Sequence, residues 1–258
     1  YRIKKQRIRF IRNLEIQMAI SQNINKKYPK NIGIIMDGNG RWALKNALNI
    51  SQGHKKGVSV VKNIVEESVK QGIQSLTLYA FSSENWKRPK AEINAIKNLV
   101  IEAINEQVPE LKEKKVKLKF FGHISDFGKK IQDKISFAEN ETFSKDSKLD
   151  LNVALGYGGQ QDILDMVIKV SKQVSKGKIK LEDLNEESIN EFLSVPVNEI
   201  DLLIRTGGDK RISNFLLYQI AYAEIMFIDK FWPDFTQEDF AQCIDNFKNV
   251  SRRFGKRI

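Results

Sequence analysis

The apolar positions of this chain follow two alternating patterns. Mostly apolar runs occupy 32–36, 76–81, 116–121, 149–155 and 202–204, with a sixth at 225–228. Each is short and rich in Ile, Leu, Val and Phe, which reads as a strand buried on both faces. Between the runs, apolar residues recur at three- and four-residue spacing. Val58, Val61, Ile64, Val65 and Val69 form one such series, and Ile93, Ile96, Val100, Ala103 and Ile104 another. These mark amphipathic helices. The alternation predicts an α/β protein, an open, mostly parallel six-stranded sheet flanked by helices. No linker-like stretch and no internal repeat interrupts the series, so one domain is expected over 31–258, preceded by an arm at 1–30.

The 258 residues, 41% of them hydrophobic, suffice for a substantial core. No run reaches the roughly 18 apolar residues of a membrane span, and no secretory signal pattern opens the chain, so a soluble protein is expected. Beginning at Tyr1, the sequence reads as a processed or truncated piece. A single cysteine, Cys243, excludes an internal disulfide, and with only His54 and His123 no histidine-rich metal cage is available. Cys243 lies in an apolar helical pattern and receives no role.

The net charge of +11 raises a nucleic-acid reading, but its distribution argues against it. Residues 1–30 carry nine Lys and Arg against Glu15 alone, so the arm holds eight of those charges and the body three. Within the arm, Ile8, Ile11, Leu14 and Met18 stand at helical spacing among the cations. A basic amphipathic helix follows. It either packs its stripe on the domain, the favoured expectation, or contacts an anionic membrane surface.

Open α/β sheets bind ligands at the carboxyl ends of their strands, and the residues collected there are unusual. The first strand runs into DGNGRW (37–42), the second into SSENWKRP (82–89), the third into Gly122 and His123, the fourth into GYGG (156–159) and the fifth into RTGGDKRISN (205–214). Asp37 thus stands beside flexible backbone, with Arg41 close behind, a combination suited to a diphosphate with magnesium. Alone, D-G-N-G is also an ordinary turn signal. Arg205, Arg211 and Ser213, separated by Gly207 and Gly208, read as a second phosphate clamp. His54 precedes a helix, where an anion can sit. Ser82, Asn85 and Trp86 can orient a substrate, although Trp86 serves equally as core packing. Two clamps and few bases favour leaving-group stabilisation over a covalent nucleophile.

These residues carry a resemblance. IIMDGNGRWA (34–43), GHKKG (53–57), LTLYAFSSENWKRP (76–89), IRTGGDKRISNFLLYQIAYAE (204–224) and WPDF (232–235) resemble the cis-prenyltransferases, most closely the bacterial-type undecaprenyl diphosphate synthases, over about 29–255. The resemblance implies a Mg2+-dependent homodimer that condenses isopentenyl diphosphate onto an allylic diphosphate, usually farnesyl diphosphate. It implies Asp37 as catalytic carboxylate and metal ligand, Glu224 as a second metal-associated carboxylate, and Gly38, Asn39, Gly40, Arg41, Trp42 and His54 around the allylic diphosphate. Ser82, Ser83, Glu84, Asn85 and Trp86 would lie near the reacting carbons, with Asn85 assisting proton removal, and Arg88 would support that loop. Arg205, Arg211, Ile212 and Ser213 would hold the homoallylic diphosphate, and Arg253 and Gly255, in the terminal R-x-G, would reach the partner subunit's site. A growing chain also requires an apolar tunnel. The product would be a glycan-carrier precursor, made in the cytoplasm, at a membrane surface, or in an organelle of bacterial descent.

Three positions depart from the family pattern. Ile50 replaces an arginine expected at the allylic diphosphate, and Gly156 and Gln160 replace asparagine and arginine. Either affinity is reduced or Lys45 or Lys55 compensates. A non-catalytic accessory subunit is the alternative reading, and it fits poorly because such chains lose the first aspartate. The absence of any Asp-Asp pair also separates this chain from the trans-type synthases.

Overall fold

The computed structural model describes residues 28–250; the basic arm at 1–27 and the segment from 251, with Arg253 and Gly255, lie outside the described residues. Six strands form one sheet in the order β3-β4-β2-β1-β5-β6, every neighbouring pair parallel. They are β1 (Asn31–Ile35), β2 (Ser75–Ser82), β3 (Val116–Phe121), β4 (Leu149–Tyr157), β5 (Leu202–Arg205) and β6 (Glu224–Phe227). All six expected strands exist, with ends shifted by one or two residues. β1 stops at Ile35, one residue before the apolar run does, while β4 continues through Gly156 to Tyr157.

The two-residue period of the strands distributes the core. Ile32 and Ile34 of β1, with Leu202 and Ile204 of β5, enter one apolar cluster, whereas Ile35 and Leu203 enter the cluster on the other face. Both faces are therefore covered, as a parallel sheet requires. The larger cluster packs the sheet on α2 (Ile50–Lys70), α3 (Lys90–Glu113), α4 (Lys129–Thr142) and α7 (Gln237–Lys248), a short α1 (Asn39–Lys45) lying at the end of β1. α2 starts where it does because the Asn49 side chain accepts from the Gln52 N–H and Gln52 returns the bond to the Asn49 N–H. Thr236 and Asp239 cap α7 in the same way. Cys243 is buried in α7, which agrees with its expected packing role.

On the opposite face the 212–220 segment packs Ile212, Phe215, Leu216 and Ile220 against the sheet, with Val195 and Ile200; α5 (Gly159–Ser175) follows β4, and α6 (Glu186–Asn190) is a single turn and a half. α5 buries only Gly159 and Asp162, and leaves Leu164, Val167 and Ile168 exposed. Among the described residues no helix is long and apolar enough to cross a membrane.

Candidate active site

The site begins where β1 ends. Asp37 leaves the strand with its N–H donating to Thr206 Oγ1 (3.0 Å), while the Thr206 hydroxyl donates to the Asp37 carbonyl (2.9 Å). The neighbouring strand β5 thereby fixes the Asp37 backbone. Gly38 follows at φ 105°, and its own N–H donates to Asp37 Oδ1 (2.7 Å). A side chain at residue 38 would collide with Phe231 as well as straining the backbone.

Arg205, at the end of β5, is almost wholly buried and donates to Asp37 Oδ2 (2.8 Å) through Nη2. Its Nη1 donates to Ser213 Oγ (2.7 Å) and to the Arg211 carbonyl. Arg41, one helical turn beyond Asp37, stands 3.2 Å from Oδ1. Burial alone would raise the Asp37 pKa, but the hydrogen bond and charge of Arg205, with Arg41 and the Gly38 N–H, hold it below the usual carboxylate range. Asp37 is thus ionised at neutral pH and is a poor proton acceptor. Such a group suits ion binding.

One further carboxylate joins this cluster. Asp209 Oδ2 lies 2.8 Å from Arg211, 3.4 Å from Arg41 and 3.6 Å from Arg205. The sequence reading passed over it, although a lone acid between a Gly-Gly pair and Arg211 is a visible signal. Gly207 permits this crowding: it sits at φ 91°, and a methyl group there would meet Arg41 at 2.8 Å and the Asp37 backbone at 3.1 Å.

His54 lies on the first turns of α2, mostly buried, with Nε2 3.6 Å from Glu92 and without a hydrogen-bond partner. Burial and the Arg88 charge hold its imidazole below the usual value, against the opposing pull of Glu92. Arg88 itself donates to Glu92 (2.7 Å). Asn85 accepts from the Ser82 N–H (3.1 Å) across the short turn after β2. Glu84 accepts from Asn214 (2.9 Å); burial raises its pKa, yet that bond and local hydrogen bonds outweigh it and keep the carboxyl ionised.

These groups surround the mouth of a cavity of about 550 Å3 that runs from Asp37, Asn39, Arg41, His54, Asn85, Arg88, Arg205, Arg211 and Ser213 into an apolar interior. The interior is walled by Val58 and Val61 of α2, Ile96, Val100, Ile104, Val108 and Leu111 of α3, and Leu78, Leu118, Phe120, Leu151 and Val153 of the sheet. A charged, cation-rich mouth on an apolar body matches a ligand with an anionic head and a hydrocarbon tail.

Comparison with known proteins settles the family. Residues 35–255 match the sequence model of the undecaprenyl diphosphate synthase family of prenyltransferases. The chain belongs to that family. It is 43% identical over 234 residues to the farnesyl-diphosphate-specific ditrans,polycis-undecaprenyl-diphosphate synthase of Yersinia pseudotuberculosis, covering 90% of this chain and 92% of that one. The Shewanella oneidensis enzyme of the same name is 44% identical over 238 residues, covering 92% and 86%. Among solved structures, lavandulyl diphosphate synthase from Lavandula x intermedia, in complex with dimethylallyl diphosphate, superposes with a TM-score of 0.86 at 29% identity, covering 89% of this chain and 99% of that one. A Campylobacter jejuni protein named as a probable undecaprenyl diphosphate synthase gives 0.73 at 34% identity, covering 88% and 99%.

As a cis-prenyltransferase, this chain does not bring every expected residue to the mouth. Trp42 donates to Asp234 (2.7 Å) and pins α1 to the WPDF turn. Trp86 packs edge-on against Phe81 and beside Phe127, so the packing reading describes it. Ile212 packs into the second apolar cluster, and Ser83 faces Gly158. Asn39 lines the cavity but spends its amide N–H on the Met36 carbonyl (3.1 Å). Glu224 is placed elsewhere. It opens β6, level with Leu202, whereas Arg205 is level with Phe227 at the carboxyl end. Three residues of strand, about 10 Å, separate Glu224 from the level of the cluster. Within one chain the two expected metal carboxylates are therefore not neighbours, because the sequence motif does not reveal that residue 224 starts a parallel strand. Among the described residues no three acidic, His or Cys groups gather as a metal cage.

Proposed function

We propose that this cis-prenyltransferase is a polyprenyl diphosphate synthase, which condenses isopentenyl diphosphate repeatedly onto an allylic diphosphate, farnesyl diphosphate being the primer, to form a glycan-carrier precursor. The cavity carries this reading: its charged mouth and apolar body join an anion site to a space for a growing hydrocarbon tail, and thus act as the tunnel. The curated relatives named as farnesyl-specific synthases support the choice of primer.

Magnesium is part of the proposal. Mg2+ keeps several waters and binds through one or two carboxylates plus substrate phosphates, and needs no all-protein cage. A single ionised Asp37 at a diphosphate-sized mouth fits that requirement. When bound, the ion neutralises the charge that develops on the departing diphosphate. The chain's own groups do the rest. Arg41 and the Gly38 turn hold the allylic diphosphate, and Arg205, Arg211 and Ser213 hold the second diphosphate within reach. As the allylic C–O bond breaks, its electron pair leaves with the diphosphate, and the isopentenyl double bond forms the new C–C bond. A proton then passes from the adjacent carbon to the departed diphosphate, which is the base that the step itself supplies, and Asn85, its carbonyl fixed by the Ser82 N–H, orients that loss. The apolar walls exclude water from the reacting carbons.

The proposal includes a homodimer, for which the exposed Leu164, Val167 and Ile168 stripe of α5 supplies a self-complementary apolar face. It also includes surface contact of the basic arm with anionic lipid. An accessory-subunit role is not supported, since Asp37 and both clamps are present. The test is incorporation of labelled isopentenyl diphosphate with farnesyl diphosphate and Mg2+. Wild type should elongate and Asp37→Ala should not; equal incorporation by both would overturn the mechanism.

A further inference from the structure

Three guanidiniums converge on one oxygen. Arg41 belongs to α1, Arg205 ends β5 and Arg211 lies in the loop that follows it, and Asp209 Oδ2 faces all of them, at 3.4, 3.6 and 2.8 Å. Arg205 is buried and bound to Asp37 and Ser213, so it is fixed in place. Arg41 and Arg211 are partly exposed, and each has Asp209 within ion-pair range at the mouth of the cavity. A carboxylate has the planar two-oxygen geometry that matches a guanidinium fork, as a phosphate has. With two carboxylates and three guanidiniums, the cluster carries one net positive charge instead of three.

We infer that Asp209 is an internal surrogate for a substrate diphosphate: it occupies Arg41 and Arg211 while the site is free, and a diphosphate must displace it to bind. Two consequences follow from the geometry. The cations are held oriented at the mouth before substrate arrives, so little ordering entropy is lost on binding. Diphosphate is also released more readily, because the carboxylate competes for the same guanidiniums after each turn. The competition is local to side chains on the surface of the mouth, so its removal changes affinity by the modest amount that exposed ion pairs represent. Asp209 is a positioning residue here, since it acts through the arginines.

The inference rests on the diphosphate site proposed above, and the experiment separates the two. Binding of inorganic pyrophosphate is measured by calorimetry on wild type, Asp209→Asn and Asp209→Glu. Asp209→Asn should bind pyrophosphate about fivefold more tightly, the equivalent of about 1 kcal/mol of relieved competition, while Asp209→Glu should behave as wild type. A structural strut would give the opposite sign, because disordered arginines bind an anion less well. Unchanged or weaker binding by a folded Asp209→Asn overturns the surrogate role; no binding by any of the three, wild type included, overturns the diphosphate site itself. A crystal structure of wild type with pyrophosphate tests the same point without a variant. Displacement predicts that both Arg41 and Arg211 exceed 4 Å from Asp209, and retention of both contacts overturns it.

Discussion

In the proposed mechanism the chemistry turns on Asp37, and its environment limits what that residue can do. Arg205, Arg41 and the Gly38 N–H hold its carboxyl below the usual range, so it stays ionised through the whole neutral region and contributes charge instead of proton transfer. Asp37→Asn keeps the shape and the backbone bonds to Thr206 while deleting that charge. The expected result is a loss of kcat by about 10²–10³-fold with modest change in KM for isopentenyl diphosphate, checked by steady-state kinetics. Chelation with EDTA should abolish turnover without moving the thermal unfolding midpoint, since no described residues form a structural metal cage. His54 offers a pH-dependent counterpart. Its folded pKa lies below the ordinary 6.5, because burial and Arg88 disfavour the imidazolium. Between the folded value and about 6.5 the unfolded chain therefore binds more protons than the folded one, and stability rises with pH through that window. The contribution is fully present above about 6.5 and lost as the pH falls through the folded value. Thermal melts of wild type and His54→Gln should diverge in slope below pH 6.5, and parallel curves would contradict the assignment.

The elements explain which parts of the site were legible beforehand. β1, β2, β4 and β5 are buried on both faces and so appear as mostly apolar runs, and their carboxyl ends and the turns beyond carry Asp37, Asn85 and Arg205 to one edge without further information. What the linear pattern conceals is register and direction of a short edge element. β6 starts at Glu224, and only its pairing with β5 reveals that this carboxylate lies at the amino edge. Trp42 and Trp86 sit inside the motifs, and each also ties its motif to the body of the domain. The start of α2 illustrates how an element sets a residue's worth. Ile50 is its first residue, beside Gly40 at the cavity mouth and partly exposed. A cation there opposes the helix dipole, which costs about 0.3–1 kcal/mol, but it faces the proposed allylic diphosphate site. Ile50→Arg should therefore lower the apparent KM for farnesyl diphosphate while lowering the unfolding midpoint slightly. An unchanged KM would show that this mouth is already saturated with cations. Gly207→Ala belongs to the same scale: at φ 91° and pressed on Arg41, the added methyl should cost about 1–3 kcal/mol and raise KM for both substrates.

At the scale of the molecule, the two faces of the sheet are used differently. The face under α2 and α3 is hollow, with the cavity replacing part of the core, while the other face carries the second apolar cluster; α5 is apolar on its exposed side. Leu164, Val167 and Ile168 stand at the three- and four-residue spacing that puts them on one stripe, and a surface helix gains nothing from exposing such a stripe to water. A second copy meeting it about a two-fold axis would bury the same three residues twice, and none of the three lines the cavity. Because these side chains are exposed in the single chain, replacing one with a charge should leave the isolated fold intact, whereas at a dimer interface it places two like charges in an apolar patch. Sedimentation equilibrium of wild type at micromolar concentration should give twice the 29.7 kDa of one chain, and Val167→Glu should shift it to one chain with little change in secondary structure by circular dichroism. A wild type that sediments as a single chain would remove the dimer from the proposal. A Val167→Glu variant that remains a dimer would instead place the interface on another surface and leave the α5 stripe unexplained.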